Sequence, residues 1–240
     1  MSPLPTQNYR RIVVLTGAGV SAASGIPTFR GPSGGLASEL LPVSDGRRVR
    51  ELLPQMWQVY GRLRGGSVEA QPNAAHFALA RWQQKWRDEA QITLVTQNVD
   101  GLHARAGSPD CIEIHGSLLR SKCLNELCPN AAGFEDLIVP EHVPLCPICG
   151  EALRPDITLF NEALPVLALH QVKRALRLCD LFLAVGTSGT VSPASDFVRS
   201  AFDAGARTLF INLTPLEVAS PYFGETILGC AEEVLPALLD

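Results

Sequence analysis

Short apolar runs alternate with amphipathic stretches along most of this chain. Ile12–Leu15, Ile92–Thr96, Cys111–Ile114, Leu181–Val185 and Thr208–Asn212 are brief and rich in aliphatic side chains, the pattern of buried strands. Asn73–Trp86, Pro165–Leu178 and Pro193–Ala204 repeat apolar residues at helical spacing, and Asn73 offers an N-cap directly after Pro72. Strand and helix in turn predict an α/β fold: a Rossmann-like, mostly parallel sheet with helices on both faces. Two segments break the rhythm. Residues 32–70 hold Gly- and Pro-rich loops around a helix predicted over Val49–Leu63, which Gly65-Gly66 is expected to end, and residues 117–153 hold four cysteines. Both read as insertions into the sheet domain, and clefts between such modules are preferred ligand sites.

The polar positions concentrate where the predicted strands stop. Thr16 to Gly31 reads TGAGVSAASGIPTFRG directly after the first strand. Gly17, Gly19 and Ala22 fit the G-x-G-x-x-A pattern, in which a tight turn presents backbone N–H groups to a pyrophosphate. Gly25 and Pro27 cut the following helix short, so a loop carrying Phe29 and Arg30 comes next. A dehydrogenase would continue to a second strand ending in an acidic residue for the adenosine ribose. Pro32 to Asp45 contains no such strand, which weakens hydride transfer while leaving nucleotide binding in place. Gln97-Asn98-Val99-Asp100 follows the second strand, suited to ribose hydroxyls and a carboxamide. His115-Gly116 follows the third, a histidine placed for proton transfer. Gly186-Thr187-Ser188-Gly189 and Asn212 close the fourth and fifth exits, and together these exits outline one elongated cleft. Asn98 and Asp100 can equally be turn formers, and His103 reads as a structural residue near a helix start.

Composition narrows the classes. A chain of 240 residues with 46% hydrophobic and 18% charged residues has the make-up of a compact globule. The net charge of −4 offers no bulk attraction to nucleic acid or anionic membrane. With no apolar leader or membrane-length run, the expected location is cytoplasmic, with a monomer as the default. The cysteines then need another explanation than disulfides. Cys123-x4-Cys128 and, after seventeen residues, Cys146-Pro147-Ile148-Cys149 form two close pairs able to set four thiolates at tetrahedral corners, a zinc pattern. Four thiolates leave no position for water, so such a metal is structural. Between Cys123 and Cys149 there is no Lys or Arg, whereas Glu126, Glu135, Asp136 and Glu141 are present, which argues against a nucleic-acid ribbon.

Taken in order, GAGVSAASGIPTFRG, TQNVDGLH, EIHG, the cysteine module, RPDITLFNE, GTSGTV and INL make the chain resemble the sirtuin family of NAD-dependent protein deacylases, in particular its bacterial, class III type. The resemblance implies NAD lying between a Rossmann-like domain (1–31, 71–116 and 154–240) and a small lobe. That lobe would comprise a cofactor loop with helical insert (32–70) and the zinc module (117–153). It implies that Gly17, Ala18 and Gly19 line the pyrophosphate turn and that Phe29 and Arg30 belong to the cofactor loop. Gln97 would contact the nicotinamide ribose, and Asn98 and Asp100 the nicotinamide. Gly186 and Thr187 would line the cofactor cleft, and Ser188, Asn212 and Ala231 would serve the adenosine side. Ile157, Phe160 and Val191 would flank the backbone of an acylated-lysine peptide. The implied reaction is attack of the acyl oxygen on the ribose carbon, loss of nicotinamide and formation of an O-alkylimidate, with His115 as general base toward O-acyl-ADP-ribose and free lysine.

The sequence departs from the family at the acyl pocket. Acid-preferring members carry Tyr-x-x-Arg, and here Tyr60 is followed by Leu63 at the arginine position, with Arg62 and Arg64 on either side. Arg64 lies on the helical face of Tyr60, so the expectation is deacetylation with some acceptance of succinyl groups through Tyr60 and Arg64. The rival readings are a mono-ADP-ribosyltransferase using the same cleft and a zinc-dependent adaptor without chemistry.

Overall fold

The computed structural model describes residues 2–29, 36–189 and 196–240. The chain runs β1 (Arg11–Thr16), a 3-10 helix (Ala18–Ser24), α1 (Ala37–Leu40), α2 (Val49–Glu69), α3 (Ala74–Lys85), β2 (Gln91–Thr96) and α4 (Leu102–Arg105). It continues through β3 (Ile112–Glu113), β4 (Gly116–Cys123), β5 (Phe134–Glu135), β6 (Leu153–Ile157), α5 (Val166–Leu176) and β7 (Leu181–Val185). The last elements are α6 (Phe197–Asp203), β8 (Arg207–Asn212), β9 (Glu225–Leu228) and α7 (Ala231–Leu239).

The larger sheet has the order β3-β2-β1-β7-β8-β9, and every pairing in it is parallel. Chain order therefore reverses between β1 and β7, and a doubly wound sheet opens its ligand crevice just beyond the carboxyl ends of those strands. Both faces are covered. Val14, Leu94, Leu183 and Leu209 pack with Leu79, Trp82, Leu235 and Leu238 on the α3–α7 side. Val13, Leu15, Phe182 and Phe210 pack with Val172, Leu176 and Val198 on the α5–α6 side. Burial on two sides explains why the central strands are unbroken apolar runs.

A second, antiparallel sheet has the order β5-β4-β6 and carries the cysteines at one end. Helix α2 covers it through Leu53, Met56, Trp57 and Tyr60, which share a core with Leu118, Leu153 and Ile157.

Several predicted boundaries shift. The third strand shrinks to Ile112–Glu113, because only those residues find partners, at Val95 and Thr96. The helix expected to stop at Gly65-Gly66 runs on through both glycines to Glu69. The stretch predicted over Pro193–Ala204 is helical at Phe197–Asp203, its first three residues lying outside the described ones. The small sheet's strands β4, β5 and β6 and the short α1 have no counterpart among the predicted elements, and neither do β9 and α7. β9 is an edge strand with mostly exposed side chains, and α7 contains Pro236, which reads as a helix breaker. Among the described residues no helix is long and apolar enough to cross a membrane.

Candidate functional site

A cleft of about 940 Å³ lies where the sheet order reverses. That is near the upper end of small-molecule sites, about 300–1,000 Å³, and leaves room for an extended ligand. Its walls bring together Gly17, Ala18, Gly19, Phe29, Gln97, Asn98, His115, Gly186, Thr187, Ser188, Asn212 and Ala231, with Tyr60, Ile157 and Phe160 at the side of the small sheet. Residues scattered from position 17 to 231 thus share one surface, as the strand-exit pattern predicts. Arg30 and Val191 lie outside the described residues.

The two glycine-rich exits are packed on each other. Gly17 N–H donates to the Val185 carbonyl at 3.0 Å, and Gly19 N–H donates to the Gly186 carbonyl at 2.8 Å. A Cβ on Gly19 would stand 2.7 Å from Gly186 Cα, and one on Gly186 (φ +62°) would stand 2.5 Å from Val20 N. The glycines are therefore required by the neighbouring loop. The N–H groups of Gly17 and Gly19 are thus engaged by the neighbouring strand exit, while Gly17, Ala18 and Gly19 all line the cleft.

Gln97 joins these loops to the histidine. Its side-chain amide donates to Thr187 Oγ1 at 3.0 Å, while its main-chain carbonyl accepts from His115 Nδ1 at 2.9 Å. With Nδ1 holding the proton, Nε2 of the neutral ring carries the lone pair. Burial lowers the His115 pKa below its ordinary 6.5, against a smaller upward push from the Gln97 carbonyl, so the ring is an unprotonated base at neutral pH. Gly116 (φ +77°) is obligatory beside it: a Cβ would lie 2.2 Å from the Asp156 carbonyl.

Asp100 does not line the cleft and stands two hydrogen bonds behind Asn98 in its wall, through Ser21. Its carboxylate accepts from Ser21 Oγ at 2.7 Å and from Leu102 N–H at 2.9 Å, and burial raises its pKa. Ser21 Oγ in turn accepts from Asn98 Nδ2 at 3.1 Å and pairs with His76 Nε2 at 3.4 Å. Asn98 Nδ2 also donates to the Gly17 carbonyl at 3.1 Å. Thr16 Oγ1 meets Thr96 Oγ1 and His103 Nε2, both at 2.9 Å. The sequence reading missed Ser21, Thr16, Thr96 and His76 as parts of this buried layer. Thr16 and Thr96 could have been noticed as polar residues ending apolar strands, whereas Ser21 and His76 lie on helical segments and carry no such signal. His103 has the structural place expected of it.

The acyl end differs from expectation. Tyr60 reaches the cleft and its O–H lies 2.6 Å from Ser44 Oγ, which donates to the Leu40 carbonyl at 2.5 Å. Arg64 does not reach it. The guanidinium is fully buried on the small sheet, bonded to the carbonyls of Leu118, Ile138 and Arg120 and paired with Asp136 at 3.0 Å. The helix continues past it, so Arg64 is neither a frayed-end cation nor available to an acyl carboxylate. Among the described residues no Lys or Arg lines the cleft, whereas Glu162, Glu217 and Glu232 do. The edge expected to receive a peptide is also partly used, since Phe160 N–H donates to Ser44 O at 2.8 Å and Gly46 N–H donates to Phe160 O at 2.9 Å. Arg154 braces this loop by a two-pronged pair with Glu162, at 2.5 and 3.1 Å.

The cysteines converge. All four sulfurs lie within 4.8 Å of one another, with Cys123–Cys149 at 3.5 Å and Cys128–Cys146 at 3.7 Å. Zinc at about 2.3 Å from each thiolate would set the sulfurs about 3.8 Å apart, so the cluster fits a tetrahedral ion. Asn130 Nδ2 and Asn125 N–H, each 3.4 Å from a cysteine sulfur, supply the donors that stabilise bound thiolates.

Fold and site together define a doubly wound nucleotide-binding protein with an appended thiolate metal module. Residues 17–193 match the model of the Sir2 family. NAD-dependent protein deacylase 1 of Pseudomonas aeruginosa is 40% identical over 237 residues, covering 96% of this chain and 93% of that protein. A crystal structure of a Sir2 homologue–NAD complex superposes with a TM-score of 0.86 at 34% identity, covering 97% of this chain and 89% of the other. A Sir2–p53 peptide–NAD+ structure does so with a TM-score of 0.81 at 28% identity, covering 95% and 92%. The chain belongs to the Sir2 family.

Proposed function

We propose that the protein is an NAD-dependent protein-lysine deacylase acting on neutral acyl groups, acetyl above all. The observation that carries this is His115: a buried neutral imidazole, fixed through Nδ1 by Gln97, lining the cleft between the glycine loops and Tyr60. Bound NAD supplies an electrophilic ribose carbon and a nicotinamide leaving group. The chain's own groups then divide the work. His115 Nε2 takes a proton from a hydroxyl brought against it, which prepares that oxygen to attack the activated acyl group. Asn98, fixed by Gly17 and Ser21, and Asp100 behind it hold the polar end where the nicotinamide carboxamide would lie. Phe29 and Phe160, with ring centroids 6.3 Å apart, crowd the mouth and limit the access of water.

The preference for neutral acyl groups follows from the acyl end. Tyr60 has Ser44 as its acceptor, Arg64 faces away, and the described wall is without a cation, so a succinyl carboxylate would be desolvated without a partner. The metal held by Cys123, Cys128, Cys146 and Cys149 is a structural zinc, because four thiolates fill its shell. Mass spectrometry of NAD incubated with acetyl-, butyryl- and succinyl-lysine forms of one peptide tests the reading. Loss of the neutral acyl groups, at least about tenfold faster than succinyl, is expected. Equal or faster desuccinylation would refute the neutral-acyl assignment.

A further inference from the structure

Arg64, on α2, makes four hydrogen bonds and an ion pair to the small sheet and the loop after it, and the proposed chemistry gives it no task. We propose that Arg64 is a positioning residue through which the cysteine module holds Tyr60, and with it the acyl end of the cleft, in place; this rests on the deacylase reading above.

Trp57, Tyr60 and Arg64 lie three and four residues apart on α2 and so share one helical face. All are buried, Arg64 completely. The outer two are anchored to the small sheet. Trp57 Nε1 donates to the Leu153 carbonyl on β6 at 2.8 Å. Arg64 Nε donates to Leu118 O at 2.7 Å, and its terminal nitrogens to Ile138 O, Arg120 O and Ser121 Oγ, each at 3.0 Å. Asp136 neutralises the charge and also accepts from Ser121 Oγ at 2.6 Å. The guanidinium stacks over Trp57, 4.9 Å from the ring centroid, so the two anchors also brace each other.

Tyr60 sits between these anchors and is the member of the face that lines the cleft. The strand that Arg64 grips, β4, begins at Gly116 beside His115 and ends at the metal ligand Cys123. A planar fork with five donors can serve three carbonyls, a hydroxyl and a carboxylate at once; a lysine ammonium cannot. Displacing β4 at its metal end therefore pulls on the helix that aims Tyr60, while the glycine loops of the nucleotide end touch none of these groups.

The test uses the full-length, zinc-loaded protein and separates KM for acetyl-lysine peptide from KM for NAD. Arg64→Met should raise the peptide KM about tenfold and move the NAD KM by less than about twofold. Arg64→Lys should not restore it. Tyr60→Phe should raise the peptide KM about threefold alone and add almost nothing in the Arg64→Met background, because the ring is already mispositioned. Effects that multiply, or two KM values that rise together, would overturn the proposal. Should Arg64→Met fail to fold, Asp136→Asn should give the same split at smaller size, and an unchanged peptide KM would count against it.

Hydrogen exchange provides a readout independent of activity. Chelating zinc from the wild-type chain should strip protection from residues 116–123 and also from 57–64. Exposure of 116–123 with 57–64 still protected would contradict the coupling. A wild-type chain inactive on every acyl peptide that still showed the coupled exchange would refute the deacylase reading and leave the mechanical link standing.

Discussion

The two ends of the cleft are built in different ways. At the nucleotide end, main chain meets main chain: Gly17 and Gly19 fit against Gly186, and the shape follows from missing side chains. At the acyl end, Tyr60, which meets Ser44, is placed by a helix that is itself held by Trp57 and Arg64 reaching across to another sheet. The first construction tolerates no added atom and is local to two loops. The second depends on a chain of long side chains and on the integrity of a distant metal module. The nucleotide end should therefore fail abruptly, by steric exclusion, and the acyl end gradually, by loss of aim.

The largest effect is expected where the two ends meet. His115→Ala removes the proposed base between the two ends and should lower kcat by about a hundredfold to ten-thousandfold with NAD affinity retained, as steady-state kinetics and calorimetric titration would show. Near-normal turnover by a folded variant would contradict the role of His115. Next comes Gly19→Ala, whose new methyl would lie 2.7 Å from Gly186 Cα and 2.9 Å from its carbonyl oxygen, backbone atoms that cannot rotate away. Overpacking of this kind costs about 1–3 kcal/mol, and NAD affinity should fall at least about tenfold with the acyl preference unchanged. An altered preference between acyl groups would blur the distinction between the two ends.

A smaller effect probes the polar layer beneath the cleft. Burial pushes His76 down to about 4 and His103 to about 3 from an ordinary 6.5, so both are neutral in the folded protein at neutral pH. In the unfolded chain they take up protons below about 6.5. Their stabilisation is therefore complete above that pH and is lost as the pH falls toward 4 for His76 and 3 for His103. The slope is about 1.4 kcal/mol per pH unit for each group within its window. Urea unfolding at pH 7.5, 6.0 and 5.0 should show this decline, and a flat stability across that range would show that these rings are not held neutral. The acid limb of kcat/KM should separately lie below 6.5, because burial lowers the pKa of His115.

What was legible in the sequence follows the same division. The strand exits after Leu15, Thr96, Ile114 and Val185 announced themselves through local runs of glycine and amide residues, and the structure joins them in one cleft. The cysteine pairs were equally local. Arg64 was misread because its partners Leu118, Arg120 and Ile138 lie 54 to 74 positions away, and the Gly65-Gly66 pair beside it resembles a helix end. One signal was present: an arginine seven residues after Trp57 continues the apolar face of α2, where a cation implies buried partners. His76 was passed over for a similar reason, since Ser21, its link to the cleft, is 55 positions distant. The engagement of the Gly17 and Gly19 N–H groups could not be read at all, because a G-x-G-x-x-A pattern does not reveal which loop packs against it.

If both ends of the cleft act in one reaction, its stoichiometry is fixed and can be counted. Wild-type protein should be incubated with an acetyl-lysine peptide and NAD labelled in the adenosine moiety, with nicotinamide, free lysine and labelled products counted over time. The account predicts one nicotinamide released for each lysine freed, with the label recovered as small-molecule acetyl-ADP-ribose. Nicotinamide released while the peptide stays acetylated, with the label fixed on protein, would contradict it and indicate ADP-ribosyl transfer instead.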